Sequence, residues 1–290
     1  MFIIWQAVSL LQGCICSQPV ITMAKSPKLA NQLVSPPKPS LGFRRWLPSV
    51  VIEGIGFALL YGTYLAFAKV VFPSSDSIAL RNAEFIVELS DGLGLSWELM
   101  WQRWTIDAGS LVVRVFNWYY LLAFWPSILS LAVFTYIRHQ CLYRRYRTLI
   151  VISTILALIS FSVFPVAPPR MLPGFVDTIQ VYGPSIYGGE GMMPLYNSLA
   201  STPSLHFSWT VLTACVLWGL VWRHLRHLVL AYPSIHFVSI VVTGNHYVVD
   251  AVAGLIVVGL TLTLYVLVRR VNPKVLSLLR LCFTCRSKHR

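Results

Sequence analysis

The sequence has 290 residues, of which 56% are hydrophobic and 11% are charged, and its mean hydropathy is +0.67. This composition excludes an ordinary soluble domain and indicates an integral membrane protein. The formal net charge of +13 raises the question of nucleic-acid binding. Because the basic residues flank apolar runs and no recognition motif accompanies them, we expect a membrane environment and no nucleic-acid partner.

The chain divides into three predicted regions. They are a disordered basic cytoplasmic lead, a membrane domain and a basic cytoplasmic tail, at residues 1–49, 50–270 and 271–290. Residues 24–49 mix basic side chains with prolines and serines, and they cannot bury enough apolar surface to fold alone. The apolar run before them lacks the positive charge of a secretory signal, so a start at Met23 is an open alternative.

Six apolar runs predict membrane-spanning helices, most of them near the roughly 20 residues that a bilayer requires and the fifth shorter. In chain order they are residues 50–72, 115–137, 149–166, 205–222, 228–242 and 249–268. Between the first two, residues 78–104 mix apolar and acidic side chains in an amphipathic pattern. The sequence thus predicts an all-α integral membrane protein, a six-helix transmembrane bundle with an amphipathic interfacial helix between spans one and two.

The basic residues predict the orientation of these spans. Most of the 23 Lys and Arg residues lie in the lead, the tail and the two turns that would be cytoplasmic if both termini are inside. The polar loop at residues 167–202 then lies on the extracytoplasmic or luminal face. Glu53, inside the first predicted span, needs an interfacial position or a partner, because a buried charge is costly there.

Two motifs at the outer ends of the spans could carry chemistry. In the first, Thr202 is a good helix N-cap and Pro203 suits the first helical position. The N–H groups of such a helix start are a natural seat for a phosphate oxygen. His206, in the first turn of that helix, is a plausible acid.

The second motif runs from Thr243 to Asp250. Its His246 and Asp250 are four residues apart, so on a helix they would share one face. A carboxylate that accepts from one ring nitrogen fixes the tautomer and leaves the other nitrogen as an electron-pair donor. Gly244 permits a close backbone approach. A capping role for this pair, and a metal site that adds His206, remain open alternatives.

Together the motifs resemble a known family. Phe164-Pro-Val-Ala-Pro-Pro-Arg170, Pro203-Ser-Leu-His206 and Gly244-Asn-His-Tyr-Val-Val-Asp250 are similar to the three-part signature of the type 2 phosphatidic acid phosphatase superfamily. The variant is most similar to the inositol phosphorylceramide synthase-like branch. The resemblance covers residues 164–254 well and the six-helix layout in outline.

The resemblance implies roles for individual residues. His246 would attack phosphorus to form a phosphohistidine, Asp250 would orient it, and His206 would protonate the leaving oxygen. The predicted phosphate-binding residues are Arg170, Ser204 and Asn245. Such a mechanism needs no metal and no cofactor, because cationic side chains and backbone donors meet the charge.

The chain departs from the family pattern at two cationic positions. Val163 stands where the pattern has a lysine, and Ile240 stands where it has an arginine. Arg170 alone would compensate a monoester dianion poorly, whereas a diester monoanion needs less positive charge. We therefore hypothesise a diester-type phospholipid headgroup or transfer to an alcohol, unless Arg103 or Arg114 completes the cradle.

The sequence thus predicts a membrane lipid phosphatase or phosphotransferase acting on a phospholipid or polyprenyl phosphate. The nearest alternative is a phosphatase of polyprenyl or lipid phosphate monoesters. A non-catalytic lipid-binding protein or transporter is the alternative of another class, and the lack of a convincing internal repeat argues against it. His236, in the fifth predicted span, is expected to be a core histidine bonded to a neighbouring helix rather than a site residue.

Overall fold

The computed structural model describes residues 51–63, 66, 76–183 and 199–271. Throughout this part of the chain the protein is helical and has no strand, although an isolated parallel bridge pairs Val166 with Ala200. The predicted lead, nearly all of the tail, the end of the first predicted span and residues 184–198 of the outer loop lie outside the described residues. The proposals for those segments therefore stay predictions.

The described part of the chain forms ten α-helices. In chain order they are α1 (Val51–Thr63), α2 (Asp76–Gly92), α3 (Glu98–Asp107), α4 (Ser110–Trp118), α5 (Phe124–Arg138), α6 (Gln140–Val163), α7 (Thr178–Tyr182), α8 (Leu205–Leu220), α9 (Arg226–Val242) and α10 (Val248–Val271). A π-helical turn at Tyr119–Ala123 joins α4 to α5. Short 3₁₀ turns at Pro169–Met171 and Arg223–Leu225 precede α7 and α9.

Among the described residues, four helical segments are long and apolar enough to cross a membrane. They are Ser110–Arg138, Gln140–Val163, Arg223–Val242 and Val248–Val268. These segments agree with the predicted integral membrane protein. Helices α1 and α8 are apolar but shorter, so the six-span bundle and its orientation stay predictions.

Helix α8 occupies the centre of the bundle. Ten consecutive residues, Phe207 to Val216, are buried, as expected of a helix that is apolar on every side. It packs against α6, α9 and α10. The approach to α10 is close because Gly254 has no side chain: a Cβ there would lie 2.9 Å from the carbonyl oxygen of Ser204.

The predicted amphipathic segment at residues 78–104 is two helices rather than one. The chain turns between α2 and α3, where Gly94 has a φ of 67°, a value that glycine adopts without strain. Two of its polar residues, Glu98 and Gln102, are buried against the rest of the protein instead of facing outward. An interfacial location for these helices stays a proposal.

The basic turn predicted before the third span is also mostly helical. Helix α6 begins at Gln140, nine residues before the predicted start at residue 149. The helical conformation is interrupted only at His139, between α5 and α6. The extra turns carry Tyr143 and Arg147, which donate hydrogen bonds to the carboxylate of Glu53 on α1. Glu53 therefore has the partner that its position in an apolar helix requires.

Candidate active site

The start of α10 is held by two carboxylates. The N–H of Tyr247 donates to Asp250 Oδ2 at 2.9 Å, and the N–H of Val248 donates to Glu98 Oε1 at 2.6 Å. These bonds satisfy N–H groups that a helix start leaves unpaired. The bond from Tyr247 to Asp250 corresponds to one of the two bonds of a capping box. His246 therefore precedes the helix, so the predicted shared helical face is wrong. The two side chains still meet, because Asp250 reaches back over the first turn.

The contacts of His246 fix its tautomer. Its Nδ1 lies 3.0 Å from the carbonyl oxygen of Ser201 and 3.3 Å from Asp250 Oδ2. A carbonyl oxygen can only accept, so Nδ1 carries the proton and Nε2 keeps its lone pair. The predicted orienting contact from Asp250 is present, and the Ser201 carbonyl, which the sequence did not indicate, shares that role.

Asp250 is fully buried and accepts from several donors. The hydroxyl of Ser201 donates to Oδ2 and that of Thr202 donates to Oδ1, in addition to the bonds from Tyr247 and His246. A buried carboxylate is stable only when such donors replace its water. Asp250 therefore joins the two motifs into one unit.

The first motif begins its helix later than predicted. Thr202 is not the N-cap, because its hydroxyl is bonded to Asp250. Ser204 takes this position instead: its Oγ accepts from the N–H of Phe207 at 3.3 Å, and α8 begins at Leu205. Ser204 was predicted to bind phosphate, and the structure places it fully buried at this cap.

His206 lies in the first turn of α8, facing His246. The two ring centroids are 6.1 Å apart. On its other side the His206 ring packs against Phe124 at 4.4 Å and Tyr120 at 5.5 Å between centroids. The structure thus brings the predicted acid and the predicted nucleophile together, although they come from separate motifs.

Arg170 lies beside the second motif and is tied to it. Its Nη1 donates to Asn245 Oδ1 at 2.6 Å, and its backbone N–H donates to the carbonyl of Gly244 at 2.9 Å. Asn245 in turn donates to Thr243 Oγ1, so both ends of its amide bond within the protein. The Nε of Arg170 also lies 3.5 Å from Asp177 Oδ2, so a carboxylate offsets part of its charge.

Gly244 allows this approach. Its φ is 70°, and a Cβ at this position would lie 2.8 Å from Gln102 Nε2 and 3.4 Å from Arg170 Cβ. The predicted need for glycine is thus met by a left-handed backbone and by close neighbours. Gln102 itself bonds to both the N–H and the carbonyl of Val176, which holds the Arg170 loop against α3.

A second buried amide holds the same loop from α4. Asn117 Nδ2 donates to the carbonyl of Thr178 at 2.7 Å, and the Thr178 hydroxyl donates to Asn117 Oδ1 at 2.8 Å. That hydroxyl also lies 3.2 Å from the carbonyl of Thr243. Sequence reasoning missed this clamp, although a polar Asn117 within an apolar run is a signal that could have found it.

The two positions that lack the family's cations have apolar side chains, and one is buried while the other is exposed. Ile240 is fully buried, and its carbonyl accepts from the N–H groups of Asn245 and His246. Val163, at the end of α6, is 79% exposed. The two arginines considered as replacements, Arg103 and Arg114, are both exposed, and within the described residues no hydrogen bond or ion pair ties either to the site.

Two titratable groups, Glu98 and Tyr247, lie near Asp250. Burial raises the pKa of Glu98, the hydrogen bond from Val248 lowers it in part, and the charge of Asp250 raises it further. Burial, followed by the charges of Asp250 and Glu98, also raises the pKa of Tyr247, whose hydroxyl donates to the carbonyl of Ala167. Both groups therefore hold their protons more tightly than exposed side chains of the same kind do.

The alternative of a metal centre has a geometric test. In the part of the chain that the structure describes, no three His, Cys, Asp or Glu side chains are grouped as metal ligands. The oxygens of Asp250 accept from hydroxyl and backbone donors, and His246 Nδ1 is held by the Ser201 carbonyl. A metal bound by His206, His246 and Asp250 would have to displace these bonds.

The fold and the site define a helical membrane protein whose paired histidines and neighbouring arginine suit phosphoryl chemistry. A model of the PAP2 superfamily matches residues 84–264, more than half of the chain, and the protein belongs to this superfamily. Its members are phosphatases, which supports a phosphoric ester hydrolase acting on lipid-like substrates. No curated protein and no solved structure matches the chain. The superfamily indicated by the motifs is thus confirmed, and the inositol phosphorylceramide synthase-like branch stays a proposal.

Proposed function

We propose that the protein is a membrane lipid phosphatase or phosphotransferase that works through a phosphohistidine on His246. The observation that carries this proposal is the fixed tautomer of His246. Its Nδ1 proton is bound by the Ser201 carbonyl and by Asp250, so the lone pair is on Nε2. His206 lies beside His246, 6.1 Å away between ring centroids, which supports a role as the acid for the leaving oxygen.

The reaction has two balanced steps. In the first, the Nε2 lone pair of His246 forms a bond to phosphorus while the bond from phosphorus to the leaving oxygen breaks, and protonated His206 gives that oxygen its proton. In the second, water or an alcohol attacks phosphorus and gives its proton to His206. The bond from nitrogen to phosphorus then breaks, and His246 regains its lone pair.

The test is a search for the intermediate. Purified protein is incubated with a phospholipid carrying radiolabelled phosphate, and acid-labile label is sought on wild type and on His246→Ala. We expect label on wild type only, and we expect His227→Ala, an exposed histidine of α9, to behave as wild type. His206→Ala should slow labelling by roughly 10² to 10⁴-fold, as for a lost general acid. An active wild-type enzyme without label would refute the nucleophile.

Two further measurements separate the alternatives. Full activity in a chelator is expected, and loss of activity there would favour a metal centre at the same residues. Wild-type protein that binds lipid vesicles but turns over none of the labelled lipids would favour the lipid-binding or transport alternative.

We further propose that the enzyme prefers phosphodiester headgroups or transfers a headgroup to an alcohol, as the inositol phosphorylceramide synthase-like motifs imply. Arg170 is paired with Asp177, and Ile240 and Val163 supply no charge. A dianionic monoester would therefore be poorly compensated. Turnover of phosphatidic acid is to be compared with that of phosphatidylinositol, and a clear preference for phosphatidic acid would favour the monoester phosphatase instead.

The positions of the arginines support an orientation in the membrane. Arg147 lies at the start of α6 and Arg223 precedes α9, whereas Arg170 lies beyond the other end of α6. We propose that the first two face the cytoplasm and that the site faces the extracytoplasmic or luminal side. Labelling of intact cells by an impermeant thiol reagent at Met171→Cys, but not at His224→Cys, is the expected result, and the reverse pattern would contradict it.

A further inference from the structure

His236 is a buried polar side chain with no partner. It is fully buried in α9, and neither ring nitrogen has a hydrogen-bond partner among the described residues. The predicted bond to a neighbouring helix is therefore not there. Because buried polar side chains are nearly always satisfied, an unsatisfied imidazole calls for a reason.

The surroundings of His236 place it next to the reacting histidines. Its ring stacks on Phe124 at 5.9 Å and on Tyr120 at 6.3 Å between centroids. The same two rings contact His206, so His236 and His206 share the aromatic neighbours Phe124 and Tyr120. The π-helical turn before Phe124 presents these rings together, and such turns are frequent at functional sites.

A second unsatisfied donor contacts the same cluster. The Trp209 Nε1–H is buried and has no partner among the described residues. The Trp209 ring stacks on Phe124 at 5.7 Å between centroids, with an angle of 13° between the planes. Two polar groups around one aromatic ring are thus left unsatisfied within reach of the predicted acid.

The chemistry of this position selects its ligand. Among the described residues His236 has no anionic partner, so it is kept neutral because an unpaired buried charge is costly, whereas His206 would face the phosphate of a bound substrate. A neutral imidazole offers one donor and one acceptor. Neither a second phosphate nor a cation finds a charged partner at His236. A neutral hydroxyl, ester or amide can form a hydrogen bond with this imidazole. In glyceryl and amide lipids such groups lie beside the reacting oxygen. Polyprenyl phosphates have only hydrocarbon there.

We propose that His236 is a substrate-contacting specificity residue, which hydrogen-bonds the polar backbone beside the reacting oxygen and so selects glyceryl or amide lipids over polyprenyl phosphates. This assignment rests on the proposed function, because it takes His206 as the group that meets the leaving oxygen. It adds a choice between the lipid classes that the motifs leave open.

The experiment compares two monoesters with the same phosphate group, phosphatidic acid and undecaprenyl phosphate. His236→Phe should lower kcat/KM for phosphatidic acid by about 10- to 100-fold, the effect of one lost buried hydrogen bond. It should leave undecaprenyl phosphate unchanged or faster, because the unsatisfied imidazole is gone. His236→Gln, which keeps a donor and an acceptor, should retain most of the preference. Phosphatidylinositol and undecaprenyl phosphoglucose give the same comparison for diesters.

The melting temperature of His236→Phe distinguishes substrate contact from support of the core. A phenylalanine here should leave stability unchanged or raise it, since no protein bond is lost. A variant that fails to fold, or that loses both lipid classes equally or neither, would overturn the assignment. Wild-type protein that labels from none of the four lipids would overturn the proposed function itself, and the assignment with it.

Discussion

His246 and His236 are two buried histidines of one site in opposite surroundings. The Nδ1 of His246 has two acceptors, and the Asp250 that faces it accepts from Ser201, Thr202 and Tyr247. The His236 ring has aromatic neighbours and, in the described part of the chain, no hydrogen bond to either ring nitrogen.

The difference separates two kinds of preparation for catalysis. The protein supplies both acceptors for the Nδ1 proton of His246 and leaves Nε2 for the substrate. The nucleophile is therefore oriented before substrate arrives, and no reorganisation is needed during the reaction. Around His236 the protein supplies an apolar wall and leaves the polar partner to the ligand. The first region is expected to determine the rate and the second to determine which lipid reacts.

The largest effect is expected at His246, the histidine that the protein orients. His246→Ala removes the attacking nitrogen, so kcat should fall on the order of 10⁴- to 10⁶-fold for every lipid, as for other deleted nucleophiles. Initial rates on phosphatidic acid and undecaprenyl phosphate check this. If the loss were confined to one lipid, His246 would be a specificity residue and the contrast with His236 would fail.

The next effect tests how far Asp250 orients His246. Asp250→Asn keeps the size of the side chain but can no longer accept from all its donors. Because the Ser201 carbonyl still holds the Nδ1 proton, we expect kcat to fall only about 10²- to 10³-fold, less than the roughly 10⁴-fold seen where an aspartate alone fixes the tautomer.

Asp250→Asn should also lower the free energy of unfolding, by about 1–3 kcal/mol for each donor left unpaired. Thermal unfolding of the same preparation measures this loss. A full loss of activity with unchanged stability would show that Asp250 acts on the chemistry and does not hold the motifs together.

A smaller effect is expected where Arg170 meets Asp177. Asp177→Asn removes the carboxylate that offsets the guanidinium, so the ratio of phosphatidic acid to phosphatidylinositol turnover should rise, by roughly two- to fivefold for a partly exposed pair. Asp107→Asn, an exposed aspartate of α3, is the matched control and should leave the ratio unchanged. An unchanged ratio in both variants would show that local charge does not select the headgroup.

The sequence predicted the parts of this molecule that follow from local pattern. Apolar runs located the helices, and the spacing within each motif placed His246 near Asp250 and His206 near a helix start. The cap falls at Ser204 because Asp250, from the other motif, takes the Thr202 hydroxyl, and α10 begins at Val248, whose N–H bonds to Glu98 on α3. Neither contact can be predicted from the local sequence.

The long-range contacts could not be predicted from one sequence. The amphipathic pattern assigns Glu98 and Gln102 to a polar face, whereas in the structure they bond to Val248 and Val176. For His236 a satisfied core position was the simplest expectation. Only the described contacts show that no partner faces it.

The smallest effect concerns Glu98, the carboxylate that holds the start of α10 next to His246. Burial raises the pKa of Glu98 above its ordinary value of 4.5, so the folded protein holds this proton more tightly than the unfolded chain does. Its contribution to stability is therefore complete below pH 4.5 and is lost as the pH rises through the raised pKa. Glu98→Gln keeps an acceptor for the Val248 N–H and should flatten this dependence, giving the variant the higher melting temperature at neutral pH.

Melting temperatures from pH 4.5 to neutrality, with Glu88→Gln on the exposed face of α2 as control, measure the change in slope. Equal slopes in wild type and Glu98→Gln would mean that the carboxylate is ionised and well solvated in the folded protein. The Val248 N–H would then donate to an ionised carboxylate, and the groups that orient His246 would not depend on a proton at Glu98.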